Sequence, residues 1–490
     1  MAVHVTMRTT TALFALAALV ACRPADAPPT KKAPPTTVVD TETSGPTTST
    51  STSVVVVGGG LSGLVTAREL VASGIEDVVV LEARDRVGGR TYNQVLDGGV
   101  VAEGGGQWIG PSQTEMVALT AELGIATFPQ YYEGDTVYYF NENRTLGDLS
   151  NPPNVQANID QAVDKLEAMA ATLDLSAPWA AADAEAWDAM TVDEWLIREL
   201  TFGGFVNAYL DFEFNIQAEL SASATDVSLL WYVYYIASAG SVHDLSVVAQ
   251  ELKIDGGAMA VSEAIAAELG DRVRLSSPVT QIAWTADGAT VMTASEVFEA
   301  DRVVVAMMPA TATKIAFSPE LPADRVELME EWPTTGQGYK VSVLYDTPFW
   351  RDAGLSGIAI TDDPPVEFTF DNSPADGSTG VLTAFVLENA MNGNPLEREE
   401  AVVQNLVDLF GPEAANHLDF AEQNWSEEAW TTGCVSPIQP GLLTRVGHTL
   451  REPVGAVHWA GTETSDVWNG YMEGAVRAGQ RAAAEVVQAR

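Results

Sequence analysis

Cysteine is almost absent from this chain. Its 490 residues hold only Cys22 and Cys434, which excludes a disulfide framework and leaves no cysteine cluster for zinc or iron–sulfur. Histidine is nearly as scarce, with five residues and none at a metal-ligand or triad spacing. Basic residues are few too: 25 Lys and Arg stand against 67 Asp and Glu, for a formal charge of −42. Such a chain repels nucleic acid and anionic lipid. It would attract a cationic small molecule, although solubility or salt adaptation explains the acidity equally well. Long apolar runs are also missing near the N-terminus, where Thr11 to Val20 reaches about ten residues, too few to span a bilayer. What remains is the composition of a globular enzyme, 46% apolar and 19% charged, with room for about two or three domains.

The first residues read as a targeting segment, with His4 and Arg8 ahead of the apolar Thr11–Val20 core. It ends Leu19-Val20-Ala21-Cys22, which resembles a bacterial lipobox and implies export with lipid on Cys22. A plain secretory signal is the alternative, and no twin-arginine pair is visible. Residues 23–53 are rich in Pro, Thr and Ser without apolar periodicity, the composition of an extended, mobile tether.

Beyond the tether lies the most informative stretch. The run Val54-Val55-Val56-Val57 predicts a strand, Gly58-Gly59-Gly60-Leu61-Ser62-Gly63 a tight turn, and Leu64 to about Ser73 a helix. A second strand, Val78-Val79-Val80-Leu81, ends on Glu82. That is a βαβ dinucleotide fingerprint. Gly58 permits the turn, Gly60 lets backbone approach a pyrophosphate, and Gly63 lets the helix pack closely. The pyrophosphate would rest on the helix N-terminus. Glu82, about 20 residues past the glycines, is placed to accept from ribose hydroxyls. Arg84 and Arg90, around Gly88-Gly89, offer forked donors for a pyrophosphate.

Residues 151–250 contain alanine-rich and aromatic segments of helical length, such as Val155 to Leu173 and Trp231 to Ile236, whose aromatics are expected to be mostly core. A further helix is predicted from Ala258 to Leu269, a strand pair over Val273 to Ile282, and a buried strand over Asp301 to Pro309. Lysine is rare, and Lys340 is the only one after Lys314. In Tyr339 to Tyr345, alternation puts Lys340, Ser342 and Leu344 on one strand face. An ammonium there needs solvent or a partner; an edge-strand lysine that blocks aggregation is the alternative. Strands over Val366 to Phe370 and Val381 to Leu387, then a helix over Glu397 to Phe410, complete the middle of the chain.

Several of these motifs together resemble the flavin monoamine oxidase family over nearly all of residues 54–490. They are Glu82-Ala83-Arg84-x-Arg86-x-Gly88-Gly89-Arg90-Thr91, the loop Glu103 to Pro111, Lys340 with Pro348-Phe349-Trp350, Trp425 to Cys434, Val457 to Thr464 and Trp468 to Val476. The resemblance implies an α/β fold: a Rossmann-like FAD-binding domain beside an α+β substrate domain of mixed sheet and helices. It places residues 54–150, 251–310 and 421–490 in the FAD-binding domain, 151–250 in a helical insertion, and 311–420 in an antiparallel substrate sheet. FAD would meet Gly58, Gly60, Gly63, Glu82, Arg84, Gly89, Arg90, the Gln107-Trp108 loop, Val279, Trp425, Gly461, Glu463 and Met472. Cys434 would bond the flavin, Lys340 would hold a water near its reactive nitrogen, and Gln250 would lie at the substrate face. Tyr471 would be one wall of an aromatic cage for the amine, but the second wall falls on Val435, so the cage is half present. The positive end of the last helix would stabilise charge on the flavin.

The implied reaction is oxidation of an amine by dioxygen, releasing hydrogen peroxide. The partners are then a small-molecule amine and dioxygen, with membrane contact only through an N-terminal lipid and a homodimer as a compatible assembly. Three alternatives stay open. An L-amino-acid oxidase would need a cation for the substrate carboxylate, a carbon–carbon desaturase would share the same frame, and an electron-transfer module would not use oxygen.

Overall fold

The computed structural model describes residues 48–147, 151–333, 338–386, 390–431 and 433–490. The targeting segment, Cys22 and residues 23–47 of the tether lie outside the described residues. Among the described residues no helix is long and apolar enough to cross a membrane, and no cluster of His, Cys, Asp and Glu could hold a metal ion.

The valine run is the centre of the first sheet. Strand β1 (Thr48–Val57) lies between β2 (Val78–Leu81) and the strand Glu296–Ala306, parallel to both. Strands covered on both faces must be apolar throughout, and Val54 to Val57 are buried accordingly. Helix α1 (Leu61–Ala72) makes the crossover between β1 and β2. The sheet runs Val273–Arg274, β2, β1, Glu296–Ala306, Ala289–Thr293, Val279–Trp284 and Ala316–Ser318, with Val457–Ala460 also beside Glu296–Ala306. The C-terminal helix Met472–Gln488 packs on α1 so closely that a Cβ at Gly479 would meet the Ser62 carbonyl oxygen at 2.6 Å.

Two expectations change here. The tether does not reach Ser53: β1 begins at Thr48, and Thr48 to Thr52 pair with Glu296 to Ala300. A polar Thr/Ser stretch forms strand because its long neighbour supplies the ladder, and threonine suits a pleated surface. The predicted strand pair over Val273 to Ile282 is also two separate strands. Val273–Arg274 extends the sheet beside β2, whereas Val279–Trp284 pairs with Ala289–Thr293 on the far side of β1.

The second sheet runs Asp419–Asn424, Tyr339–Tyr345, Gly380–Val386, Val366–Asp371, Leu355–Thr361, Asp135–Phe140 and Asn143–Leu146, antiparallel except where Leu355–Thr361 meets Asp135–Phe140. Strand membership shifts three boundaries. Asp135 to Leu146 leaves the nucleotide part, Ala316 to Ser318 joins it, and Asp419 to Asn424 lies in the second sheet. Pairing partners distant in sequence decide this, and a contiguous reading cannot show them.

Beside the sheets, the helices Pro153–Ala170, Val192–Glu199, Phe205–Leu220 and Leu229–Ala239 pack on one another. The last is apolar around nearly its whole circumference and forms the centre of their shared core. A small sheet of Trp108–Ile109, Leu252–Ile254 and Thr127–Pro129 carries the Gln107-Trp108 loop.

Candidate active site

The glycine turn has two crowded positions and one open one. At Gly58, φ is +108° and a Cβ would meet the Ala306 carbonyl oxygen at 2.6 Å; at Gly63 a Cβ would sit on the Gly58 carbonyl oxygen. Gly60 differs: its nearest neighbour would be Gly89 Cα at 3.8 Å. Among the described residues, nothing crowds a side chain there. Glu82 closes the turn from below, accepting from the Gly59 amide at 2.7 Å and the Arg84 amide at 2.8 Å. The Ser276 and Ser277 amides donate to the carbonyls of Arg84 and Glu82. This brings the buried Val279, two residues on, to the same edge.

Both arginines expected at a pyrophosphate are met by protein groups. Arg84 lies 3.4 Å from Glu428 and 3.6 Å from Glu82, and donates to the Thr431 hydroxyl. Arg90, just after the left-handed Gly89 that faces Gly60, pairs with Glu463 at 2.6 Å and donates to the Cys434 carbonyl at 3.0 Å. Arg90 therefore joins the fingerprint to both C-terminal motifs. Glu463 is buried, and its Oε2 has no hydrogen-bond partner. Next to it, the Gly461 amide donates to Ser62 Oγ at 3.0 Å in the first turn of α1.

Lys340 is not an edge residue. Its strand lies between Asp419–Asn424 and Gly380–Val386, and only 6% of it is exposed. Its ammonium donates to the Gly105 carbonyl at 2.7 Å and to Gln107 Oε1, and it lies 5.6 Å from the Trp108 ring and 5.5 Å from that of Phe385. Gln107 is buried, with its amide nitrogen 3.4 Å from Asn372 Oδ1. Trp108 donates to Gln130 Oε1 at 2.7 Å. Burial pushes Lys340 down to about 7; Glu103 opposes the shift and a second buried lysine, Lys253, adds to it. Lys253 lies 3.8 Å from Glu103 and donates to the Asn372 carbonyl at 3.1 Å. Burial lowers the Lys253 pKa and raises that of Glu103. Trp425 completes this wall, donating to the Gly104 carbonyl at 2.7 Å, with its ring edge against Gly105.

Cys434 has accessible surface, yet surrounding protein pushes its thiol pKa up, with Arg90 and Lys340 opposing. Tyr235 stacks on Tyr471 with centroids 6.0 Å apart. Trp468 meets Tyr471 edge-on at 4.9 Å. Cys434 lies within electrostatic reach of Tyr235 on one side and of Lys340 on the other. Tyr471 is the N-cap of the helix Met472–Gln488, Met472 is half-buried, and Val435 beside Cys434 is half-buried. Gln250 is no simple surface residue: its amide nitrogen donates to the Leu245 carbonyl at 3.1 Å, and its Oε1 is buried without a partner.

Three residues escaped sequence reasoning. Tyr235 belongs to a segment whose aromatics are expected to be mostly core, but its ring also stacks on Tyr471. Glu103 is singled out by sequence only as the start of a loop. Lys253 carried a usable signal, since lysine is rare here.

Residues 61–487 match the family of flavin-containing amine oxidoreductases, and the chain belongs to that family. It is 36% identical over 449 residues to the flavin-containing amine oxidase B of Sus scrofa, covering 88% of this chain and 85% of that one. Wild-type putrescine oxidase bound to putrescine superposes with a TM-score of 0.82 at 34% identity, covering 90% of this chain and 100% of that one. Cyclohexylamine oxidase from Brevibacterium oxydans IH-35A gives 0.81 at 33% identity, covering 89% and 99%. The mixed α/β fold is that of flavin amine oxidases, a Rossmann-like FAD-binding part with a substrate domain. The protein is an FAD-dependent amine oxidase, acting on a CH–NH2 group.

Proposed function

We propose that the space bounded by Lys340, Cys434, Tyr235 and Tyr471 is where a small amine is oxidised, and that its walls take the following parts. The residues fit FAD: Gly60 leaves a cradle that a Cβ would fill, Glu463 Oε2 is an unused buried acceptor, and Cys434 has an accessible sulfur-bearing side chain. Gly58, Gly60, Gly63, Glu82 and Val279 would hold the nucleotide end. Arg90, Gln107, Trp108, Trp425, Gly461, Glu463 and Met472 would hold the flavin end. Bound there, FAD would supply the acceptor for a hydride from the carbon beside the amine nitrogen and the route for those electrons to dioxygen. The stacked Tyr235 and Tyr471 present aromatic faces to a cationic amine. Lys340, neutral above about pH 7, can accept a hydrogen bond from a water and hold it beside the reacting atoms.

The observation that carries this reading is the burial of Lys340 in a central strand, with its terminal nitrogen fixed by two acceptors, the Gly105 carbonyl and Gln107 Oε1. Putrescine in one relative and the name of another make aliphatic amines the first compounds to test. The test is a panel of amines and α-amino acids, read by peroxide release and flavin bleaching. Reaction with α-amino acids alone would refute the amine reading. Bleaching in air without peroxide would mean electrons leave to another acceptor.

The sulfur of Cys434 would also hold the flavin through a thioether. Yellow colour in the supernatant after acid precipitation would refute that bond. For location, we infer export and a lipid anchor at Cys22, supported by the order of basic start, apolar core and Leu-Val-Ala-Cys. Labelled fatty acid should enter the wild type and not Cys22→Ser.

A further inference from the structure

We propose that Asn372 is a positioning residue for amine oxidation: acting through Gln107, it holds Lys340 so that the lysine's lone pair stays free to accept from a water. The inference rests on the amine oxidase reading above and adds the residues that prepare its lysine. Gln107 and Trp108 are neighbours in their loop, and both are tied by amide side chains to one turn. That turn is Asp371-Asn372-Ser373, at the end of the strand Val366–Asp371. Gln107 Nε2 lies 3.4 Å from Asn372 Oδ1. Gln130 makes the other tie, accepting from the Trp108 indole at 2.7 Å and donating to the Asp371 carbonyl at 2.6 Å. The turn is itself held on several sides. Asp371 accepts from Arg351 at 2.7 and 2.9 Å, from the Trp350 indole at 2.8 Å and from the Ser373 amide at 2.9 Å. The Asn372 amide donates to the Val381 carbonyl at 2.7 Å.

This anchor decides what Lys340 can do. A glutamine amide has one acceptor end and one donor end. With the donor end at Asn372 Oδ1, Gln107 presents Oε1 to Lys340, which donates to it and to the Gly105 carbonyl. A neutral primary amine has two N–H bonds and one lone pair. Both N–H bonds are then occupied, and the lone pair is the position left to accept a hydrogen bond from a water. A reversed Gln107 would aim its own N–H at that lone pair and block it. Asn372 is buried, and its Nδ2 has no hydrogen-bond partner. An apolar residue would pack there without that cost, so the contact to Gln107 is what distinguishes asparagine at this position. The charged groups that reach Lys340 are Glu103, Lys253 and Cys434. Gln423 and Phe385, opposite it on the flanking strands, carry no charge. Lys253 donates to the Asn372 carbonyl at 3.1 Å, so the same turn joins both buried lysines.

The test is anaerobic flavin reduction by an amine on the holoenzyme, in Asn372→Leu and Asn372→Asp, each with and without Lys340→Met. Asn372→Leu should lower the limiting reduction rate about twofold to tenfold, the range for one hydrogen bond. The half-saturating amine concentration should not change, because Asn372 acts on the lysine and not on the amine. Asn372→Asp keeps an oxygen for Gln107 Nε2 and should recover most of the rate. In the Lys340→Met background Asn372→Leu should have no further effect. Its Tm should stay close to that of wild type, since the change removes one stranded donor and creates another. Gln107→Glu gives a readout without turnover. A carboxylate beside Lys340 favours its charged form, so the rise of urea stability with pH, which begins near pH 7 in wild type, should begin at higher pH. An Asn372→Leu enzyme that reduces its flavin at the wild-type rate overturns the inference. So does an equal fractional loss in both backgrounds, the mark of a general structural role, and so does an unmoved stability rise in Gln107→Glu. If no amine reduces the wild-type flavin, the amine oxidase reading itself has failed.

Discussion

Two glycines in one turn separate the protein's own needs from those of its cofactor. In Gly63→Ala the new methyl would overlap the Gly58 carbonyl oxygen and lie 3.2 Å from Ala306 Cβ, inside the contact distance of about 3.5–4.0 Å between carbons. Helix α1 must move away from β1, and overpacking of this kind costs about 1–3 kcal/mol. At about 2–4 °C per kcal/mol for a large domain, Tm should fall by roughly 2–12 °C. Gly60→Ala meets no such obstacle: its φ is −74° and its nearest neighbour would be 3.8 Å away. Replacing glycine by alanine at the N-cap costs about 0.5–1.5 kcal/mol, and a stiffer unfolded chain returns about 0.4–1 kcal/mol. The ligand-free Tm should therefore stay near that of the parent. The added methyl instead fills the space where the pyrophosphate would approach the first amides of α1. Losing one charge-assisted hydrogen bond there, about 1.5–3 kcal/mol, should weaken FAD binding roughly tenfold to a hundredfold. Both variants belong in a Cys434→Ala background, so that FAD can be removed and titrated back by fluorescence. If Gly60→Ala binds FAD like its parent, or loses as much Tm as Gly63→Ala, the space at Gly60 is not reserved for the cofactor.

The buried lysines and the stacked tyrosines yield further predictions. Lys340→Met should abolish an ionisation near pH 7 in the rate of anaerobic flavin reduction by the amine, because burial holds Lys340 at about 7 against an ordinary 10.5. Between those values the unfolded chain binds a proton that the folded one does not, so wild-type stability in urea should rise with pH across that window. The Lys340→Met variant should lack that rise. Lys253→Met should move the same ionisation to higher pH and Glu103→Gln to lower pH, since Lys253 repels the Lys340 charge and Glu103 attracts it. Lys253→Met should also cost about 3–5 kcal/mol in urea unfolding, the usual penalty for stranding one member of a buried pair. Tyr235→Ala should raise the amine KM and lower Tm, whereas Tyr235→Phe, which keeps the ring over Tyr471, should do neither strongly.

Local chemistry made the nucleotide half legible. A run of four valines can only be a buried strand, and glycines at 58, 60 and 63 with an acid after the next strand fit one supersecondary unit. The tether boundary failed for the opposite reason. Thr48 to Ser53 look structureless alone and become strand only because Glu296 to Ala300 lie alongside. The arginines show the same limit: forked donors suit a phosphate, but only the fold shows that Glu428 and Glu463 already meet them.

The contrast between Lys340 and Glu103 says why some site residues can be read from a sequence and others cannot. Each is an ionisable side chain enclosed by protein, and burial shifts each toward its neutral form. Lys340 stood out because the chain has so few lysines that one in an alternating apolar strand demands an explanation. The strand's central place in the sheet then removes the edge-strand alternative. Glu103 is one of 67 acids, and at the start of a glycine loop it reads as an ordinary solvated residue. Its meaning depends on Lys253, 3.8 Å away, and on the Ala258 amide that donates to it at 2.9 Å, both far along the chain. Rarity carries information only for the minority charge. In so acidic a protein, a functional acid is visible only through the partners that the fold brings to it.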